Sequence, residues 1–164
     1  MPASSPPIDH LDARLLHLLA EVPDIGVLGA SRRLGVARGT VQARLDRLRS
    51  SGVIASLAPH LDPSALGYPV TAFCTLEIRQ GRGHGPVVEH LEAIPEVLEA
   101  HTTTGSGDLL IRVVARDNAD LQRVIDLVVD DRHVVRASTA ISLATRIALR
   151  TLPLVDAAAA PGTG

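Results

Sequence analysis

The apolar residues of this 164-residue chain change their period once, and that change limits the fold more than any other feature. Up to about Ser51 they recur at helical spacing. After Val53 they alternate between the two-residue period of a strand and the helical one. Leu11, Leu15, Leu18 and Leu19 make one stripe and predict a first helix from Ile8 to Ala20, which Pro23 ends. A second, short helix fits Val27 to Leu34, with Gly35 at its C-terminal break, where positive φ is wanted. A third runs from Arg38 to Ser50, carries Val41, Leu45 and Leu48 on one face, and stops at Gly52. Val53 to Leu57 with His60 and Leu61 predicts a small β wing.

From Tyr68 the order becomes β-α-β-β-α-β. Val70, Ala72, Cys74, Leu76 and Ile78 alternate with Thr71, Phe73, Thr75, Glu77 and Arg79, as a half-buried strand does. A loop is expected over Gly81 to Gly85, then a helix marked by Val87, Val88, Leu91 and Ile94. Two strands, Val97 to Thr103 and Leu109 to Ala115, flank the turn Gly105-Ser106-Gly107-Asp108. Leu121, Val124, Ile125 and Val128 mark a further helix, and a last strand is expected from Val135 to Leu149. The fold class is α+β: a winged helix-turn-helix over 8–58, a linker over 59–67, and a ferredoxin-like βαββαβ domain over 68–154. Residues 1–7 and 156–164 read as flexible tails, the first Pro-rich and the second of low complexity. With helices on one side only, the other sheet face needs a partner; the Cys74/Leu76 or Ile141/Leu143 rows are the candidates, and a homodimer is expected.

Net charge, −2, hides a local feature. All sixteen cationic residues are Arg, and Arg32, Arg33, Arg38, Arg44, Arg47 and Arg49 lie between Ala30 and Gly52 against the single acid Asp46. That segment carries +5 and the rest of the chain −7. A basic island on an acidic body is the footprint of a local polyanion contact, and here it coincides with two short helices, a glycine turn and a third helix. At about 100° per residue, Gly39, Ala43, Asp46, Arg47 and Ser50 point away from the apolar stripe, flanked by Thr40, Gln42 and Arg44. Small residues at 39 and 43 allow close approach to a groove floor. Gln42 and Arg47 are the expected base-edge readers in double-stranded DNA, since Gln suits adenine and Arg guanine. Arg32, Arg33, Arg38 and Arg44 are placed for phosphates, which position without specifying sequence.

Leu11-Asp12-Ala13-Arg14-Leu15-Leu16, Leu34-Gly35-Val36, Thr40 to Leu48 and Gly52-Val53-Ile54 resemble the helix-turn-helix of the Lrp/AsnC (leucine-responsive, feast/famine) regulators. Leu66-Gly67-Tyr68, Ile94-Pro95-Glu96-Val97 and Thr104-Gly105-Ser106-Gly107-Asp108 resemble that family's effector domain. The resemblance covers nearly all of Ile8 to Leu154 and sets the helix-turn-helix proper at about Val27 to Asp46. It implies dimers through the sheets, often assembled into octamers, with an amino acid or related metabolite held between dimers. Three positions depart from the pattern. Ala37 stands where the family usually has a Ser N-cap, Gly29-Ala30-Ser31 replaces a Glu-Leu-Ala type sequence, and the effector turn lacks aromatic neighbours.

Thr103, Thr104, Gly105, Ser106, Gly107 and Asp108 are the effector-binding candidates, joined by Ser138 and Thr139 on the last strand. The glycines expose N–H groups for a carboxylate, and Asp108 offers an acceptor for an ammonium. By chemistry alone the same residues make an ordinary turn, with Gly at positive φ and Asp capping. No cofactor, metal or catalytic residue is expected: one cysteine, Cys74, and seven scattered histidines supply no ligand cluster. Without an apolar run long enough for a membrane or a leader, the expected location is cytoplasmic. The alternative is an enzyme resembling the siroheme decarboxylases, which share both domains but carry basic and His residues where this chain has Thr102-Thr103-Thr104-Gly105.

Overall fold

The computed structural model describes residues 8–79 and 85–160. Residues 1–7, 81–84 of the expected loop with His84, and 161–164 lie outside the described residues. The chain divides into two compact units, His60–Arg146 and the segments on either side of it.

In the first unit, helices α1 (His10–Glu21), α2 (Gly26–Leu34) and α3 (Arg38–Ser50) enclose an aliphatic core of Leu15, Leu18, Ala30, Leu34, Val41, Leu45 and Leu48. The expected bounds hold to within two residues. Gly35 closes α2 in the left-handed region at φ +69°, where a side chain would strain the backbone. No wing forms: there is no strand between Gly52 and Pro69. Val53 and Ile54 pack onto the helical core instead, and the Ile54 N–H donates to the Leu48 carbonyl at 3.0 Å. Pro59 and Pro63 lack N–H donors, and an isolated two-stranded ribbon is marginal in water.

The expected tail from Asp156 is also corrected. Leu152–Ala159 forms α6, which packs on α1. Pro153 in its first turn and the alanines that follow favour a helix. Leu152, Val155 and Ala159 are its half-buried residues, and His17 Nε2 lies 2.7 Å from Asp156 Oδ1.

The second unit is a four-stranded antiparallel sheet in the order β2-β3-β1-β4, from β1 (Val70–Ile78), β2 (Val97–Thr102), β3 (Leu109–Ala115) and β4 (Val134–Ile141). With α4 (Gly85–Glu92) and α5 (Asn118–Val129) this is the ferredoxin-like βαββαβ order. β4 stops well short of Leu149. Ala72 pairs with Ile141, so β1, which begins at Val70, offers no backbone beyond position 143. Ala72, Cys74, Leu76, Ile111 and Val113 face Val87, Leu91, Leu121, Val124 and Val128 of the helices. The Cys74/Leu76 row is therefore core, and burial pushes the Cys74 thiol up. The helix-free face carries Phe73, Thr75, Leu110, Arg112, Ser138 and Ala140.

Candidate nucleic-acid interface and effector turn

Burial of Val41, Leu45 and Leu48 leaves Arg38, Gly39, Thr40, Gln42, Ala43, Asp46 and Arg49 of α3 exposed. Ala37 begins the helix with extended backbone and no side-chain cap, as its missing hydroxyl dictates. Gly39, Thr40, Ala43, Arg44, Arg47 and Asp9 line one shallow concavity of about 560 Å³ on this surface. Gln42 donates to Asp46 at 2.9 Å, one turn along the same exposed face. Arg32 and Arg33, at the end of α2, are exposed and have no carboxylate partner among the described residues, and the same holds for Arg38 and Arg49.

Two arginines of this surface are already paired with acids of α1. Arg44 Nη1 donates to Asp9 at 2.7 and 2.6 Å and to Asp12 Oδ1 at 2.8 Å, and Arg47 Nη2 donates to Asp12 Oδ2. Asp9 and Asp12 also cap α1 reciprocally: the Asp12 N–H donates to Asp9 Oδ1 at 2.9 Å and the Asp9 N–H to Asp12 Oδ2 at 3.0 Å. Asp12 is fully buried and lies against the N-terminal turn of α1 and the middle of α3. Arg44 holds Asp9 down to a pKa of about 2. Burial pushes Asp12 up, but the bonds from Arg47, the Asp9 N–H and Arg44 outweigh it and leave it below the usual range. Arg44, expected on phosphate, and Arg47, expected at a base edge, thus spend donors on α1. The one sequence signal for this was the acid pair, Asp9 and Asp12, three residues apart at the start of the first apolar stripe.

The effector turn is built against β1. The Asp108 N–H donates to the Leu76 carbonyl at 2.8 Å, and Asp108 Oδ2 accepts from the Ile78 N–H at 2.7 Å. Thr103 Oγ1 donates to the Gly107 carbonyl at 3.2 Å. A Cβ on Gly107 would fall 2.2 Å from Thr75 Cγ2, so glycine here serves close approach, while Gly105 supplies positive φ at +116°. The N–H groups of Gly105, Ser106 and Gly107 carry no hydrogen bond among the described residues. Ser138 pairs with Thr75 and shares its face. Thr139 does not join them: it faces the opposite way, paired with Cys74, and its hydroxyl donates to the thiol sulfur at 3.3 Å. Thr75 is the neighbour that sequence reasoning missed. Its part in the turn depends on a strand thirty residues earlier.

Two family models match the chain, the AsnC-type helix-turn-helix domain over residues 8–49 and the Lrp/AsnC ligand binding domain over residues 71–152. The HTH-type transcriptional regulator FL11 of Pyrococcus horikoshii is 29% identical over 148 residues, 90% of this chain and 97% of that protein. The structure of E. coli AsnC matches with a TM-score of 0.81 at 26% identity, over 89% of this chain and 99% of that one. The transcriptional regulator NMB0573 of Neisseria meningitidis, solved as a complex with L-Met, shares the fold with a TM-score of 0.79 at 24% identity, over 89% and 96%. These are regulators, not enzymes, and the decarboxylase alternative finds no support among them.

Proposed function

This chain belongs to the Lrp/AsnC family of DNA-binding transcriptional regulators, and from that premise we propose that α3 enters the major groove of operator DNA through Arg38, Gly39, Thr40, Gln42 and Ala43. The observation that carries this reading is one exposed helix face on which two positions of minimal side chain sit beside side chains with hydrogen-bonding groups. Gly39 and Ala43 let the helix axis approach the groove floor, Thr40 and Gln42 reach base edges, and Arg32, Arg33 and Arg38 neutralise phosphates. Two copies joined through the helix-free sheet face, by way of Phe73, Leu110 and Ala140, would present two such helices about 34–36 Å apart, one turn of duplex. Selection from a random-sequence duplex pool tests this: wild type enriches a two-fold symmetric site, and Gln42→Ala relaxes it at one position of each half-site. An unchanged site in that variant would remove Gln42 from the reading.

The second unit senses an amino acid or a related carboxylate. The three unpaired N–H groups of Gly105, Ser106 and Gly107 support this, a set of donors suited to a carboxylate. The ligand sits between dimers and changes their assembly, and with it operator affinity. A thermal-shift panel of the twenty amino acids and short carboxylic acids reads it directly, since a ligand at about 100 times its Kd adds about 2.7 kcal/mol. Sedimentation of the best hit, with and without ligand, then shows whether assembly moves; equal operator affinity in both states would refute the coupling.

A further inference from the structure

We propose that Asp12 is a positioning residue for DNA reading, one that withholds Arg44 and Arg47 from the duplex and fixes the register of α3 on α1. The proposal rests on α3 being the reading helix. Three observations carry it. The Asp12 carboxylate is fully buried, yet all of its bonds are charge-assisted or backbone bonds: Arg44 on Oδ1, and Arg47 with the Asp9 N–H on Oδ2. The two arginines lie three residues apart on α3, so a single carboxylate grips consecutive turns and opposes both sliding and rotation of the helix. Asp9 adds a second acid on Arg44, at 2.7 and 2.6 Å, so both carboxylates gather on its Nη1.

A guanidinium already paired with a carboxylate releases few counterions when DNA arrives, because its charge is compensated before binding. The basic island thus contains two populations. Arg32, Arg33, Arg38 and Arg49 are exposed and have no acidic partner among the described residues; Arg44 and Arg47 are engaged by Asp12. Counting all six as phosphate contacts overstates the charge that the duplex meets. The clamp also serves specificity. Cations that are free to find any phosphate strengthen binding to every sequence alike, whereas a fixed helix presents Thr40, Gln42 and Ala43 at one depth and one angle.

The test is the salt dependence of binding to a random-sequence 40-base-pair duplex, followed by fluorescence anisotropy with full-length protein. The logarithm of the affinity falls against the logarithm of salt concentration with a slope of about −0.9 per phosphate neutralised. Arg38→Gln makes the slope shallower by about one per protomer. Arg47→Gln leaves it at the wild-type value. Asp12→Asn, which keeps the shape and one acceptor but removes the charge, makes the slope steeper by about one per protomer or more and tightens binding to the random duplex.

Loss of slope in Arg47→Gln equal to that in Arg38→Gln would overturn the proposal, as would an unchanged slope in folded Asp12→Asn. Circular dichroism establishes whether Asp12→Asn is folded; if it is not, the comparison of the two arginine variants decides alone. A wild-type protein that binds no duplex at any salt concentration would instead remove the reading of α3 itself, and the positioning role with it. A purely architectural Asp12 would lower stability without steepening the slope.

Discussion

Two aspartates in this chain occupy the same place in a helix and hold two arginines each, yet they do different work. Asp12 is the third residue of α1 and takes Arg44 and Arg47 from α3, more than thirty residues on. Asp120 is the third residue of α5 and takes Arg116, at 2.9 and 3.0 Å, and Arg123, at 2.8 Å, from positions four before and three after it. Each helix opens with a neighbouring Asp as cap, Asp9 for α1 and Asp117 for α5. The Asp120 set fixes chiefly where its helix starts, since both arginines come from within four residues of it; only Arg123 reaches farther, donating to Glu96 at 2.5 Å. Arg116 is mostly exposed, and the sheet core below stands without it. The Asp12 set ties two helices of a unit whose core holds seven buried residues against fourteen in the sheet unit. A small helical unit has no sheet ladder to set register, so a buried carboxylate does it.

The sharpest way to break this comparison is to remove each acid. Asp12→Ala leaves Arg47 without a carboxylate partner and Arg44 with Asp9 alone, and costs about 1–3 kcal/mol in urea unfolding. Asp120→Ala frees Arg116 into water, leaves Arg123 with Glu96, and costs less than half as much. Equal losses would mean that the long-range clamp adds nothing to the local one.

Acid comes next. Asp9 is held at about 2 and Asp12 below its ordinary value, so both stay charged in the folded protein at pH values where the unfolded chain, near 3.9, has taken up protons. Their contribution is therefore complete above about pH 4 and is lost as pH falls towards 2. Asp120 is also held well below the usual range, chiefly by Arg116, but its loss uncouples one helix end rather than two helices. Amide cross-peaks of Leu48 are expected to collapse at higher pH than those of Ile111. The reverse order would contradict the assignment.

Gly107→Ala and Ala37→Ser probe the same contrast between distant and local contacts at smaller scale. An added Cβ at 107 meets the β-branched Thr75 and the Leu76 carbonyl oxygen, and costs about 1–3 kcal/mol by overpacking. A hydroxyl at 37 supplies the N-cap that α3 lacks and adds about 0.5–2 kcal/mol. Thermal melts of the two variants should therefore move in opposite directions, and a neutral Gly107→Ala would show that Thr75 can turn aside.

Legibility in the sequence followed the range of the interaction. The helices of the first unit and the β-α-β-β-α-β order were readable because periodicity is local: Val41, Leu45 and Leu48 name a face of α3 without reference to anything else. Gly35 was readable for the same reason, since a helix end needs a positive φ within one residue. The missing wing, the helix over Leu152–Ala159 and the early end of β4 were not, because each depends on whether a partner is within reach. Of the nine proposed DNA contacts, Arg44 and Arg47 already share a carboxylate of α1; of the effector set, Thr139 lies on the opposite face from Ser138. Charge identifies a cation but not its counter-ion, and strand alternation says which neighbours oppose each other but not which face the helices cover.

By itself, then, the sequence determined the elements, their order, the basic island and the family resemblance, all of them properties of neighbouring residues or of motif order. Tertiary structure alone decided that Cys74 and Leu76 lie beneath the helices, that Thr75 closes on Gly107, and that Asp12 claims two of the six arginines in the island. The reason is the same in each case: burial and ion pairing are fixed by groups that meet only when distant segments pack, and a one-dimensional pattern carries their chemistry without their distance.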